Sequence, residues 1–278
     1  MKKEYQIFER MQQNNFSFWF PKVEHCGIRV PRSIVIPVDN EMIRHFYMEQ
    51  PGDYEAILCF VKNTVEPAVK EAKFGLCFVK NGTFSNKFDA GHSCLPHPGS
   101  LTEAIININY GALCNDAGGE SEIIVRERIP HNARVTPCIY NGLPFRNEFR
   151  VFYDFDDQQV MFVVNYWDYD YIYSHLYDVT DRIIFDHQRE KMEARYEAFK
   201  DKAVQAVAEA MKNVSGLDSA WSVDLLLDEK DNFWLIDMAV AEQSAYWEKR
   251  PGYTPPEEAK RTPICLLKDA DETVIEQI

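Results

Sequence analysis

Apolar positions along the chain fall into two periods, and each stretch of one period predicts an element. The β-branched run from Ser33 to Val38, closed by prolines, predicts a short strand. Ile57, Val61, Val65 and Val69 lie four apart, one face of a helix over Asp53 to Lys70 that Pro67 is expected to end or kink. The run GLCFVK (Gly75 to Lys80) predicts a buried strand, and Ser100 with Glu103 forms an S-x-x-E box that would cap a short helix. A further strand, Glu122 to Pro130, ends at its proline. The longest helical pattern runs from Asp186 to about Val214, where Met192, Tyr196, Phe199, Ala203, Val207 and Met211 recur every three or four residues. Its other face is charged, as expected of a surface helix covering a sheet.

Two hairpins carry charge inside apolar strands. In EFRVFYDFDDQQVMFVVN, a turn centred between Asp156 and Asp157 pairs Arg150 with Val163 and Glu148 with Asn165. Strand side chains alternate, so Glu148, Arg150 and Asn165 are expected on one face. In WSVDLLLDEKDNFWLIDMA, a loop of Glu229 to Asn232 pairs Asp228 with Phe233 and, four residues back on each arm, Asp224 with Asp237. Like charges directly opposite destabilise a sheet. Either a hard cation such as Mg²⁺ lies between them, or one aspartate faces solvent, or the register slips by a residue. If the two carboxylates repel each other, Asp237→Asn should leave the metal-free protein at least as stable.

Lys80 ends an apolar strand and Lys87 follows in the polar turn SNKFD. Together they would suit a polyphosphate, and separately each reads as a solvated strand end. No G-x-x-x-x-G-K-[ST], G-x-G, G-x-S-x-G or HExxH motif occurs. His92 and His97 flank Cys94 without a further spaced ligand, which favours a loop over a metal cluster. The aromatic and acidic run Trp167, Asp168, Tyr169, Asp170, Tyr171 either lines an acceptor pocket or forms a surface turn.

Composition narrows the classes. In 278 residues, 44 acidic and 30 basic side chains leave a formal net charge of −14, and 46% of residues are hydrophobic. The chain can bury a sizeable core, and its charge opposes nucleic acid and anionic membrane. Seven scattered cysteines without a CxxC pair argue against a disulfide framework and for a reducing cytoplasm. The N-terminus has no apolar h-region, and nowhere do 18 uncharged apolar residues run together, so neither export by a signal nor a membrane span is expected.

Taken in order, FSFWFP, SIVIPV, FVK, SNKFDA, NEFRVFYD and SVDLLLDEKDNFWLID resemble the motifs of the ATP-grasp superfamily over Phe16 to Asp237. More narrowly they resemble the branch of the eukaryotic cell division cycle protein 123, an assembly factor for a translation-initiation complex, and its bacterial and phage relatives. The resemblance implies an α+β fold of two lobes whose antiparallel sheets sandwich a nucleotide cleft. Residues 1–72 would form an N-terminal lobe, 73–130 the lysine-bearing small lobe and 131–278 the C-terminal lobe with the metal-binding hairpin. It implies that Lys80 and Lys87 reach the phosphates of ATP and that the backbone of Arg126, Glu127 and Arg128 reads the adenine edge. Arg150 would steady the γ-phosphate beside Glu148, Lys87 and Arg150 would be the catalytic pair, and Asp224 and Asp237 would hold Mg²⁺. Where the family has an asparagine ligand this chain has Ala239, so either Glu242 substitutes or the metal is held more loosely. The activity implied is an ATP-dependent ligase joining a small-molecule or peptide carboxylate to an amine through an acyl phosphate. The alternatives are an ATP-binding assembly factor acting on a protein client, and an acidic scaffold that binds no nucleotide.

Overall fold

The computed structural model describes residues 12–254 apart from positions 98, 116 and 120. Helix α1 (Phe16–Val23) forms where Phe16, Trp19, Phe20 and Val23 make one apolar stripe, and all four are buried. Strand β1 (Ser33–Pro37) and helix α2 (Asn40–Phe46) follow, with Asp39 capping α2 through the Met42 amide at 2.8 Å. The expected helix over 53–70 is present as α3 (Asp53–Phe60), a π-helical turn (Val61–Val65) and α4 (Glu66–Ala72). Pro67 has no amide to donate and its ring would collide with the carbonyl of Asn63. The wider turn, closed by the Glu66 amide on Val61 O, lets the helix run past it.

Strand β2 (Cys77–Asn81), a 3₁₀ turn (Lys87–His92), helix α5 (Leu101–Cys114) and strand β3 (Glu122–Glu127) complete the first layer. The capping box is not formed. Ser100 Oγ donates back to His97 O at 2.7 Å, while Glu103 accepts from the Tyr54 hydroxyl at 3.3 Å. The three strands make an antiparallel sheet in the order β1-β3-β2. Val79, Ile123 and Val125 pack with Ile57, Val61 and Val65 from the helices, so the neighbouring positions Lys80, Ile124 and Arg126 point the other way. Strand β1 pairs with β3 along its length, and α3 shares the core of this layer.

The second layer contains the short ribbon β4 (Cys138–Ile139) and β5 (Leu143–Pro144), strands β6 (Glu148–Asp154) and β7 (Gln159–Asn165), helices α6 (Tyr169–Tyr173) and α7 (Val179–Met211), and strands β8 (Ala220–Leu227) and β9 (Phe233–Val240). Helix α7 begins at Val179 because the Asp178 carboxylate caps the amides of Thr180 and Asp181. The large sheet runs β7-β6-β8-β9, all antiparallel. Its back buries Phe149, Val151, Val223 and Leu225 against Ala203 and Val207 of α7 and Trp19 of α1.

Both charged hairpins contain a bulge. In β6–β7 the register shifts between Phe152 and Tyr153, which face Phe162 and Val160, so Met161 is the extra residue. Arg150 therefore pairs with Val164, and Asn165 pairs with Phe149. Asn165 shares a side with Phe149, not with Glu148 and Arg150, and its Oδ1 accepts from the Trp167 amide at 3.1 Å. In β8–β9, Phe233 pairs with Leu227 rather than Asp228, whose carboxylate takes the amides of Lys230 and Asn232 at 2.8 and 2.9 Å. A second shift at Ile236 restores the pairing of Asp224 with Asp237.

The described residues up to Ser244 form one compact unit and those from Ala245 another. In the second, Arg250 lies 4.6 Å from the Trp247 ring and 4.0 Å from the Tyr253 ring. Among the described residues, no helix is long and apolar enough to cross a membrane.

Candidate functional site

Backbone pairing places Val164, Arg150, Asp224 and Asp237 in one row across the large sheet. Arg150 Nε and Nη2 donate to Asp224 Oδ1 and Oδ2 at 2.8 and 2.7 Å, a bidentate pair with both side chains nearly covered. Burial works against the guanidinium charge, but Asp224, with Tyr166 and Asp237 behind it, holds Arg150 well above the usual arginine range. Asp237 is held differently. Lys80 Nζ reaches from β2 to both of its oxygens at 3.0 Å, and the Asp237 side chain remains 38% exposed against 3% for the lysine. The like-charge row is thus compensated by two of the protein's own cations, and its stability does not by itself require a metal.

Lys87, on the 3₁₀ turn after β2, donates to Glu148 Oε2 at 3.2 Å and sits 3.6 Å from the centroid of the Tyr166 ring. Burial opposes its charge too, and Glu148, Tyr166 and Asp224 outweigh it, so the ammonium titrates above the ordinary lysine range. Neither lysine is a solvated strand end. Arg126, 3% exposed, donates through Nε to Ser33 Oγ at 3.1 Å and through Nη1 to Ile236 O, and its buried Nη2 has no hydrogen-bond partner in the protein. Burial brings its pKa down to about 10, against the pull of Asp237, which leaves it charged at neutral pH.

These side chains line a cavity of about 270 Å³ between the two sheets, with Leu226, Ile236 and Ile129 supplying apolar wall. Of the backbone expected to read a base, the amides of Glu127 and Arg128 already donate to Arg32 O and Leu76 O at 2.8 and 2.9 Å. The Glu127 carboxylate turns outward to Arg32, which lowers its pKa. Arg128 lines the cavity and donates to Gly142 O at 3.3 Å.

Other expected residues lie elsewhere. Glu242 is exposed on the 3₁₀ turn Ala241–Gln243, off the end of β9, and is not gathered with the two aspartates. Among the described residues no group of three His, Cys, Asp or Glu side chains is placed to hold a metal ion. His92 pairs with Asp89 while Cys94 is buried, in keeping with a loop. The run Trp167 to Tyr171 neither lines the cavity nor forms a bare surface turn. Trp167 packs edge-to-face on Phe145, Asp168 caps α6, and Tyr169 stacks on Tyr173. Sequence reasoning missed two residues that line the cavity, the buried Arg146 and, directly before this run, Tyr166. The signal for Tyr166 was the strand alternation, which the bulge at Met161 disguised.

The donors suit the groups that the motifs imply. Two adjacent carboxylates offer hard oxygens appropriate to Mg²⁺. Six cations, Lys80, Lys87, Arg126, Arg128, Arg146 and Arg150, line one cavity, and Arg126, Arg128 and Arg146 each have a buried N–H without a partner in the protein, which suits a polyphosphate.

Comparison with protein-family models and with curated proteins finds no match. Similar solved structures include Cdc123 from Schizosaccharomyces pombe, 16% identical, with 89% of this chain covering 95% of that one at a TM-score of 0.49. They also include the ATP-grasp ligase PsnB complexed with minimal precursor, at 13% identity, 89% coverage of this chain and a TM-score of 0.35. VanG D-Ala:D-Ser ligase from Enterococcus faecalis follows at 11% identity, 81% coverage and a TM-score of 0.40. The match spans 58% of the PsnB chain and 52% of the VanG chain. The architecture of this chain is α+β, with two antiparallel sheets and a cleft between them.

Proposed function

We propose that the cleft binds MgATP and that the protein is an ATP-dependent ligase, activating a carboxylate as an acyl phosphate and joining it to an amine. The observation that carries this reading is the convergence of Lys80, Lys87, Arg126 and Arg150 on one cavity whose wall also bears Asp224 and Asp237. The ion pairs Lys80–Asp237 and Lys87–Glu148 fasten one sheet to the other. An entering triphosphate gives each lysine a phosphate oxygen in place of its carboxylate, and Asp237 is released beside Asp224. Mg²⁺, held by these two aspartates, would supply charge neutralisation at the phosphates.

In the reaction a carboxylate oxygen of the acceptor attacks the γ-phosphorus, the bond to the bridging oxygen breaks, and ADP leaves. The amine nitrogen then attacks the acyl carbon, the carbon–oxygen bond to phosphate breaks, and the amine's proton passes to solvent. No side chain becomes covalently attached. Lys87 and Arg150 act by position and charge, which is the main protein contribution to phosphoryl transfer. A second reading, an ATP-binding assembly factor with a protein client, is favoured by Ala239 and by the exposed position of Glu242, which leave two carboxylates for the metal. The free thiols at the six described cysteines suit a reducing cytoplasm.

The test is to incubate the protein with MgATP and a panel of carboxylates and amines, with hydroxylamine as a trap. A ligase releases ADP only when a carboxylate is present and yields the hydroxamate. MgATP binding without release under any combination supports the assembly-factor reading, and no binding removes both.

A further inference from the structure

The cleft contains an aromatic ring that joins its two lobes through their cations. Tyr166 follows β7 directly, is 7% exposed, and is fixed by its backbone N–H donating to Glu148 O at 3.1 Å. The next residue is fixed as well, since the Trp167 amide donates to Asn165 Oδ1. Lys87 Nζ lies 3.6 Å from the Tyr166 ring centroid and the Arg150 guanidinium carbon 5.0 Å from it. One of these cations follows β2 of the small sheet and the other stands on β6 of the large sheet. Each also has its own carboxylate, Glu148 and Asp224.

The two kinds of partner behave differently toward an incoming anion. A carboxylate holds a cation but competes with phosphate for it and repels the phosphate. An aromatic face holds a cation through its quadrupole, carries no net charge, and leaves the cation's N–H groups facing away from the ring free to donate. Lys87 can therefore leave Glu148 for a phosphate oxygen while keeping its place over the ring.

We propose that Tyr166 is a positioning residue of this site, setting where Lys87 and Arg150 hold their charges so that both meet the terminal phosphates together. The proposal rests on the nucleotide reading above. It follows from one buried ring shared by two cations from opposite sides of the cleft, and it assigns a role to a residue outside the motifs.

Affinities for MgATP and for adenosine, measured by titration calorimetry, test it in the wild type, Tyr166→Phe, Tyr166→Leu and a variant with a perfluorinated phenylalanine at 166. Tyr166→Phe keeps the ring face but loses the hydroxyl that hydrogen-bonds Lys87, so it should weaken MgATP clearly less than Tyr166→Leu does. Tyr166→Leu should weaken MgATP by about tenfold or more while adenosine changes by less than about threefold. The perfluorinated ring keeps the shape and reverses the quadrupole, so it should behave like leucine and decides the matter if Tyr166→Leu does not fold. A merely structural ring would move adenosine and MgATP alike and would tolerate fluorination. An unchanged ratio of the two affinities in the leucine variant, or a perfluorinated variant that binds like phenylalanine, overturns the proposal while leaving the nucleotide reading intact. A wild type that binds neither ligand overturns both.

Discussion

Asp224 and Asp237 are neighbours in one row of one sheet, yet they are held in different ways. Asp224 is nearly covered and takes both arms of Arg150, which stands on the adjacent strand of the same sheet. Asp237 is more than a third exposed and takes a single ammonium from the opposite sheet. The first pair can be broken only by leaving a charge in low dielectric, and the second by letting a carboxylate meet water or a cation. The difference separates a fixed pair, Arg150–Asp224, from a looser clasp, Lys80–Asp237, whose carboxylate already meets solvent.

The largest effect expected is at the fixed pair. Arg150→Ala should cost about 3–5 kcal/mol in urea unfolding, because it strands the buried Asp224 carboxylate. A loss below about 1 kcal/mol would mean that Asp224 is as free as Asp237, and the contrast would disappear. At the clasp, Asp237→Asn should lower the stability of the ligand-free protein by about 1–3 kcal/mol, since it leaves the buried Lys80 ammonium without its counter-ion. Mutual repulsion of the aspartates would give the opposite sign, and calorimetric melting distinguishes the two.

A third aspartate in the same hairpin sharpens the comparison, because it is stabilised by hydrogen bonds alone. Burial would raise the Asp228 pKa, but donors from Trp234 Nε1 and from Asn232 and Lys230 outweigh it and bring it down to about 2. A depressed carboxylate stabilises the fold above its ordinary pKa near 4 and loses that contribution as pH falls toward 2. Stability should therefore drop by about 2 kcal/mol over that window. Asp228→Asn, which cannot titrate, should lack this component of the acid slope, and an identical slope would exclude Asp228 as its source.

The smallest effect belongs to the other half of the clasp. Lys80→Met should cost less than about 1 kcal/mol, because Asp237 is exposed enough to be rehydrated. A cost equal to that of Asp237→Asn would show that the clasp is as fixed as the Arg150 pair.

The two hairpins also show what could be read from the chain and what could not. The cross-strand pair Asp224–Asp237 was legible although two details of its derivation were not. Asp228 left the strand for the turn, which displaced the register, and the bulge at Ile236 restored it. In β6–β7 a single bulge at Met161 had nothing to cancel it, so Asn165 moved to the other side and Tyr166 went unnoticed. Alternation carries no mark of a bulge, whose cause lies in pairing with a distant strand. The lysines were legible as phosphate candidates but their partners were not, since Asp237 and Glu148 lie far away in sequence and meet them only through packing of the two sheets. The Ser100–Glu103 box failed for a local reason, because the serine hydroxyl found His97 O first.

The central claim is that MgATP opens the clasp and takes Asp237 as a metal ligand, and thermal unfolding of wild type and Asp237→Asn with and without MgATP tests it most directly. At a hundredfold excess over Kd, a ligand bound by the native state alone adds about 2.7 kcal/mol, which should raise the wild-type midpoint by several degrees. The account predicts that Asp237→Asn starts lower and gains clearly less from MgATP. A wild type unmoved by any adenine nucleotide, or a variant that gains as much as the wild type, would contradict it.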